Sequence, residues 1–309
     1  MPEMNPASAV TPIADLPQVL AQLERVLLGK RRQVELAVAC LLARGHLLIE
    51  DVPGVGKTTL AQALGATLGL PWTRIQFTSD LLPTDVTGVS IYDAGRAEFE
   101  FRPGPVFTSV LLADEINRAP PKAQSALLEA MEERQVSVDG RTHDLPEDFF
   151  VIATQNPTDQ LGAYPLPESQ LDRFMVGIEI GYPDVRTERE LLEHGDRRAG
   201  IAGMQAVANP LQLHQWMADA ETVHVSPTVF DYLQALLSAT RESGAGLSPR
   251  AGLALVRLCR AHALLMQRDH VIPEDVLTVF PALAGHRLTG QVKSGRQAAE
   301  AILARVDTP

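Results

Sequence analysis

Residues Asp51-Val52-Pro53-Gly54-Val55-Gly56-Lys57-Thr58 follow a short apolar run, residues 46–50, and lead into TTLAQALGATLG, whose apolar positions have helical spacing. A buried strand, a glycine-rich turn and a helix in that order commit this part of the chain to an α/β arrangement. The turn matches the phosphate-binding pattern G-x-x-x-x-G-K-[ST], except that Asp51 replaces the first glycine. Such a loop needs backbone N–H groups turned inward onto phosphate oxygens, which Gly54 and Gly56 permit, and a helix N-terminus behind them. Lys57 would reach the terminal phosphates and Thr58 would ligate Mg²⁺, with Val52, Pro53, Val55 and Thr59 completing the cradle. The chain has four lysines, Lys30, Lys57, Lys122 and Lys293, so a lysine in this slot is not a matter of abundance.

The strand pattern recurs in TRIQF (73–77), SVLLAD (109–114) and DFFVIAT (148–154), separated by segments long enough for helical crossovers. That is the signature of a parallel sheet covered on both faces. Ahead of it, residues 16–43 read as two helices joined at Gly29. Two segments inside the unit alternate in period two and read as β-hairpins: residues 88–107, turning at Asp93-Ala94-Gly95-Arg96, and residues 135–144, turning at Asp139-Gly140, a dipeptide that favours a type I′ turn. After Gly181-Tyr182-Pro183-Asp184 the strand patterns stop and amphipathic helices with Pro or Ser-Pro starts take over. The expected organisation is therefore an α/β domain over residues 1–182 and a helical domain over 183–309.

Composition narrows the function. At 309 residues with 45% hydrophobic and 21% charged side chains, the chain can build a large core, and disorder is excluded. The formal net charge of −11 is the wrong sign for coating phosphate backbones. Cys40 and Cys259 stand far apart in apolar surroundings and read as buried reduced thiols. The eight histidines, His46, His143 and His262 among them, are scattered singly and suggest no protein metal site. No apolar run approaches the length of a membrane span, and the Pro/Ala-rich opening resembles a frayed tail rather than a secretory signal. A cytoplasmic protein is expected.

Val110-Leu111-Leu112-Ala113-Asp114-Glu115 is an apolar strand ending in two acids. Downstream of a phosphate loop, Asp114 can hold the Mg²⁺ hydration shell and Glu115 can orient and deprotonate an attacking water. Asn156 follows the next strand at the carboxyl edge of the sheet, where it could touch the γ-phosphate or that water. By itself, before Pro157, it reads rather as a turn former, and on spacing alone Arg173 and Arg250 read as surface charges.

Together GHLLIEDVPGVGKTTLA, LLPTDVTG, FRPGPVF, VLLADEINRAPPKAQSALLEAMEERQVSVDG, ATQNP and LPESQLDRF resemble the MoxR family of AAA+ ATPases over nearly the whole chain. The resemblance implies a P-loop NTPase with a parallel five-stranded sheet sandwiched by helices, the hairpins as the helix-2 and pre-sensor-1 inserts, and a small all-α lid. It implies ATP and Mg²⁺ bound between subunits of a ring, commonly a hexamer. Lys57 and Thr58 then fall in Walker A, Asp114 and Glu115 in Walker B, Asn156 at sensor 1, Arg173 at the arginine finger and Arg250 at sensor 2, with Arg118 a possible second trans-acting arginine. The family's role is chaperone-like, assembling or activating client proteins, often beside a von Willebrand factor A-type partner. A metal-insertion motor resembling magnesium chelatase, a nucleic-acid motor of the same clade and a non-hydrolysing regulatory subunit are the alternatives. Against the nucleic-acid motor, the hairpin tips DAGR and DGRTHD mix acids with arginine. Against the regulatory subunit, Glu115 and Arg173 are both present.

Overall fold

The sheet that carries the phosphate loop has five parallel strands. The computed structural model describes residues 16–156, 163–194, 201, 203–242, 244 and 246–309. The Pro/Ala-rich opening and Pro157 lie outside them. The five strands are β1 (Leu47–Glu50), β2 (Trp72–Gln76), β5 (Val110–Asp114), β8 (Phe150–Gln155) and β9 (Val176–Ile178), in spatial order β2-β5-β8-β1-β9. Alternate residues go to opposite cores. Leu47 and Ile49 of β1, Val110 and Leu112 of β5, and Phe150 and Ile152 of β8 join one cluster, while Leu48, Leu111, Ala113, Val151 and Ala153 join the other. Both faces being buried, these strands read as continuous apolar runs rather than alternating ones.

One face is covered by α1 (Leu16–Val26), α2 (Arg31–Leu42) and α3 (Lys57–Leu68), the other by α5 (Pro121–Glu133). The short α4 (Pro83–Thr87) leads into the first hairpin, β3 (Gly88–Asp93) against β4 (Glu98–Pro103). The second hairpin pairs β6 (Gln135–Val138) with β7 (Arg141–Asp144) through two residues, Asp139 at φ 51° and Gly140 at φ 74°. Two positive φ values are what a type I′ turn demands. His143 stacks on Phe101 with centroids 4.0 Å apart, joining the two hairpins.

A one-turn α6 (Glu168–Leu171) precedes β9. Beyond β9 the named elements are helices: α7 (Val185–His194), α8 (Pro210–Thr222), α9 (Pro227–Glu242), α10 (Pro249–Leu265), α11 (Pro273–Thr289) and α12 (Val292–Leu303). Leu255 and Leu258 of α10 and Leu283 of α11 share one apolar cluster with α2, so these helices pack onto the covering layer of the sheet. Cys40 and Cys259 are buried free thiols, their pKa values pushed up by burial. Among the described residues no helix is long and apolar enough to cross a membrane.

Candidate active site

The sheet order puts β1 between β8 and β9, and the parallel register then aligns the carboxyl ends of four strands. Gln76 pairs with Asp114, Ala113 with Ala153 and Glu50 with Gln155. The loop after β1 thus opens beside the ends of β5 and β8, the place where open α/β sheets bind ligands. A cavity of about 730 Å³ lies there. Residues 53–59, Asp114, Glu115 and Asn156 line it. The structure therefore brings together the loop from Pro53 to Thr59, the two strand-end acids and the amide that sequence placed at the sheet edge.

The loop is shaped by Gly54 and Gly56, at φ 86° and 104°, values that L side chains rarely adopt. Gly56 is the N-cap of α3, and no side chain caps that helix, so the N–H groups of its first turn are left for a ligand. The Lys57 ammonium donates to the Asp51 carbonyl at 2.8 Å. Burial lowers its pKa from the ordinary lysine value, while the charges of Asp114, Asp51 and Glu115 oppose the shift. The Asp51 side chain turns elsewhere: one carboxylate oxygen accepts from the Val52 N–H at 2.8 Å and the other from the Gly181 N–H at 2.6 Å. The unexpected acid at the first glycine position thus ties the loop to the segment leaving β9.

The two acids are held by neighbours that the motif did not announce. Thr154 donates its hydroxyl to Asp114 Oδ1 at 2.6 Å and accepts the Glu115 N–H at 2.9 Å. Arg74 donates to Asp114 Oδ2 through Nε at 3.2 Å and Nη2 at 2.7 Å. Gln76 donates to Glu115 Oε2 at 2.9 Å, and Arg118 Nε lies 3.4 Å from the same oxygen. Arg118 is thereby paired with a site residue of its own chain. Glu115 sits at φ 56°, a left-handed conformation costly for a non-glycine residue and characteristic of functional positions. A signal for Arg74 and Gln76 was available, since they alternate on one face of β2; Thr154 carried none. The rest of the cavity wall comes from the α1–α2 junction, Val26, Leu27, Leu28 and Lys30, and from Tyr182, Pro183, Glu188 and Leu192.

The donor set fits Mg²⁺. One carboxylate, Asp114, and one hydroxyl, Thr58, suit an ion that keeps several waters and takes its other ligands from substrate phosphates. A carboxylate has about four lone-pair sites, so the bonds from Thr154 and Arg74 leave Asp114 able to accept from such waters.

Arg173 and Arg250 do not line this cavity. They line a second one of about 150 Å³, together with Glu132, Arg134, Asp172, Arg257 and Arg287. Arg173 Nη2 lies 3.1 Å from Glu132 Oε2 and Arg250 Nη1 lies 2.7 Å from Glu132 Oε1.

Comparison with known proteins gives the family. The ATPase family associated with various cellular activities (AAA) matches residues 46–176, and the AAA lid domain matches residues 238–306. A protein of Bacillus subtilis, YeaC, described as uncharacterized, is 45% identical over 276 residues, 88% of this chain and 86% of that protein. Chaperone MoxR1 of Mycobacterium tuberculosis is 42% identical over 287 residues, 88% of this chain and 75% of its own. A crystal structure of a candidate ATPase from Cytophaga hutchinsonii superposes with a TM-score of 0.83 at 35% identity, covering 96% of this chain and 95% of that one. On sequence, site geometry and lid alike, the chain belongs to the MoxR family of AAA+ ATPases.

Proposed function

We propose that the chain hydrolyses Mg²⁺-ATP in the cytoplasm, in a ring of copies of itself, commonly six, and uses the reaction in a chaperone-like role that assembles or activates a client protein. The convergence of Lys57, Thr58, Asp114, Glu115 and Asn156 on one cavity carries the reading. Lys57 and the N–H groups of the loop would hold the terminal phosphates, and Val26, Leu28, Tyr182 and Leu192 offer the base an apolar wall. Thr58 and Asp114 would hold Mg²⁺, which when bound neutralises charge on the phosphate oxygens. Glu115, fixed by Gln76 and by its own N–H on Thr154, would take a proton from the attacking water, and Asn156 would orient that water.

The positive charge needed as the γ-phosphoryl transfers has to come from elsewhere. Of the cations on the cavity wall, Lys57 is already given to the bound phosphates, Arg74 is paired with Asp114, and Lys30 donates to the Tyr182 carbonyl at 2.7 Å. Arg173 and Arg250, grouped apart from their own phosphate loop, suit a role in trans on the site of the next subunit. For the client, the name of the M. tuberculosis relative and the first hairpin point the same way: Val89, Ile91, Tyr92 and Phe99 are exposed there among charges of both signs, Glu98 and Glu100 with Arg96 and Arg102. Arg96 and Arg102 stand beside Asp93 and Glu100, so the hairpin offers apolar side chains without a basic stripe, which suits polypeptide better than a phosphate backbone. A von Willebrand factor A-type protein is the expected partner.

Glu115→Gln and Lys57→Ala test the division of roles. Glu115→Gln should bind ATP within a few-fold of the unmodified chain while turnover falls by about 10²–10⁴, since only water activation is lost. Lys57→Ala should lose affinity itself. Equal losses of affinity in both variants would overturn the assignment, and an unmodified ring that binds ATP without turning it over would leave a regulatory subunit.

A further inference from the structure

We propose that Glu132 is a positioning residue for hydrolysis, holding Arg173 and Arg250 side by side as a pair of guanidinium groups presented to a neighbouring subunit. This rests on the reading that Arg173 acts in trans. The two arginines come from different parts of the chain: Arg173 follows α6, and Arg250 stands in the first turn of α10. Glu132, near the end of α5, joins them, one carboxylate oxygen to each.

The backbone beneath the pair is fixed separately. Asp172 accepts from Arg287 Nε at 2.7 Å through one oxygen and from the Ser248 hydroxyl at 3.2 Å through the other. Arg287 also donates to the carbonyls of Asp172 and Phe174, so the segment bearing Arg173 is clamped onto α11 while Ser248 N-caps α10. That clamp sets where the two side chains leave the backbone and not where their tips go. The tips stand among like charges, since Arg134 and Arg257 line the same cavity, and burial together with neighbouring arginines lowers the pKa values of both. Without an acid between them, Arg173 and Arg250 would swing apart into solvent.

Glu132 engages one terminal nitrogen of each guanidinium. A guanidinium has five N–H donors, so each arginine keeps donors for phosphate oxygens while Glu132 holds it. The side chains of Arg173, Glu132 and Arg250 are 28%, 35% and 47% exposed. Ion pairs this exposed contribute at most about 1 kcal/mol to folding, so the consequence of losing Glu132 falls on orientation rather than stability. A displacement of about 1 Å at a reacting centre can cost about 10²-fold in rate.

Glu132→Ala and the isosteric Glu132→Gln should therefore fold, form rings and bind ATP with an unchanged KM, while kcat falls about 10- to 100-fold. Mixing under subunit exchange separates this from a merely structural effect. Lys57→Ala has a dead phosphate loop and an intact arginine pair, so mixed with Glu132→Ala it should raise turnover above the sum of the two variants measured alone. With Arg173→Ala, Glu132→Ala should regain nothing, because both defects lie on the same side of the interface. Arg173→Ala mixed with Lys57→Ala is the control. If the control recovers while Glu132→Ala and Glu132→Gln turn over at the unmodified rate, or while Glu132→Ala is rescued by Arg173→Ala and not by Lys57→Ala, the positioning role is overturned alone. If the control recovers nothing, the trans reading of Arg173 fails and the role of Glu132 fails with it.

Discussion

Asp51 shows what a motif position means once it is folded. Read against the loop pattern it is a departure, yet its carboxylate accepts two backbone N–H groups, one of them 130 residues away at Gly181. Restoring the glycine with Asp51→Gly should therefore lower unfolding stability by about 2–3 kcal/mol, through two lost charge-assisted bonds and added backbone freedom. ATP affinity should not improve; denaturant titration with and without nucleotide measures both. His46 supports the same sheet from the other end. Its Nδ1 lies 3.1 Å from the Val151 N–H and its Nε2 3.2 Å from the Met131 carbonyl, an arrangement that suits the neutral ring with the proton on Nε2. Burial, helped by the charge of Arg134, lowers its pKa to about 3. With the folded pKa below the unfolded value near 6.5, the neutral ring's stabilisation is whole above about pH 6.5 and declines as pH falls toward 3. His46→Gln, which keeps both hydrogen bonds, should reduce the slope of unfolding free energy between pH 6 and 4 by about 1.4 kcal/mol per unit. An unaltered slope would mean that His46 is not held neutral. At this scale the grouping of the loop with Asp114 and Glu115 at one sheet edge was legible from residue type and spacing, whereas Asn156, on its own a turn former before Pro157, was carried by the family resemblance. Glu132 was not, since nothing distinguishes it from Glu129 and Glu133 until the fold brings Arg173 and Arg250 to it.

Among the elements, strands β1, β2, β5 and β8 and both hairpins were readable from short β-rich runs, period and turn chemistry. Strand β9 was not read from periodicity, because three residues are too few to show a period. The strand order was equally hidden, since which strands pair is decided by the helices that must cover both faces rather than by any one strand. The last two helices make another contact that sequence does not announce. Gly295 of α12 packs directly on the backbone of α11, where a Cβ would stand 1.7 Å from the Gly285 carbonyl oxygen. The N-terminus of α12 is held by Glu50, the last residue of β1, which accepts the Val292 N–H and whose pKa burial raises. Gly295→Ala must push α11 and α12 apart, and a cost of about 3 kcal/mol is expected from overpacking of this kind. Chemical unfolding should show it as an earlier midpoint; an unchanged midpoint would mean that the helices slide without penalty.

At the scale of the whole molecule, a chain of net charge −11 gathers arginines around one small cavity while keeping its phosphate loop in another. The overall sign argues that DNA or RNA at physiological salt should leave the ATPase rate unchanged; a several-fold stimulation with steep salt dependence would move the chain to the nucleic-acid motors. On the proposed function, one chain holds half a catalytic site and a neighbour supplies the rest, the phosphate loop lying at one cavity and Arg173 and Arg250 at the other. An arginine supplied across an interface is worth about 10³–10⁵ in rate in related NTPases, far more than a surface charge. The most direct measurement is ATP turnover per chain across a dilution series, with the oligomeric state followed by light scattering on the same samples. Turnover per chain should rise with concentration in step with ring assembly and be nearly absent in the dilute monomer. A monomer as active per chain as the ring would contradict the account.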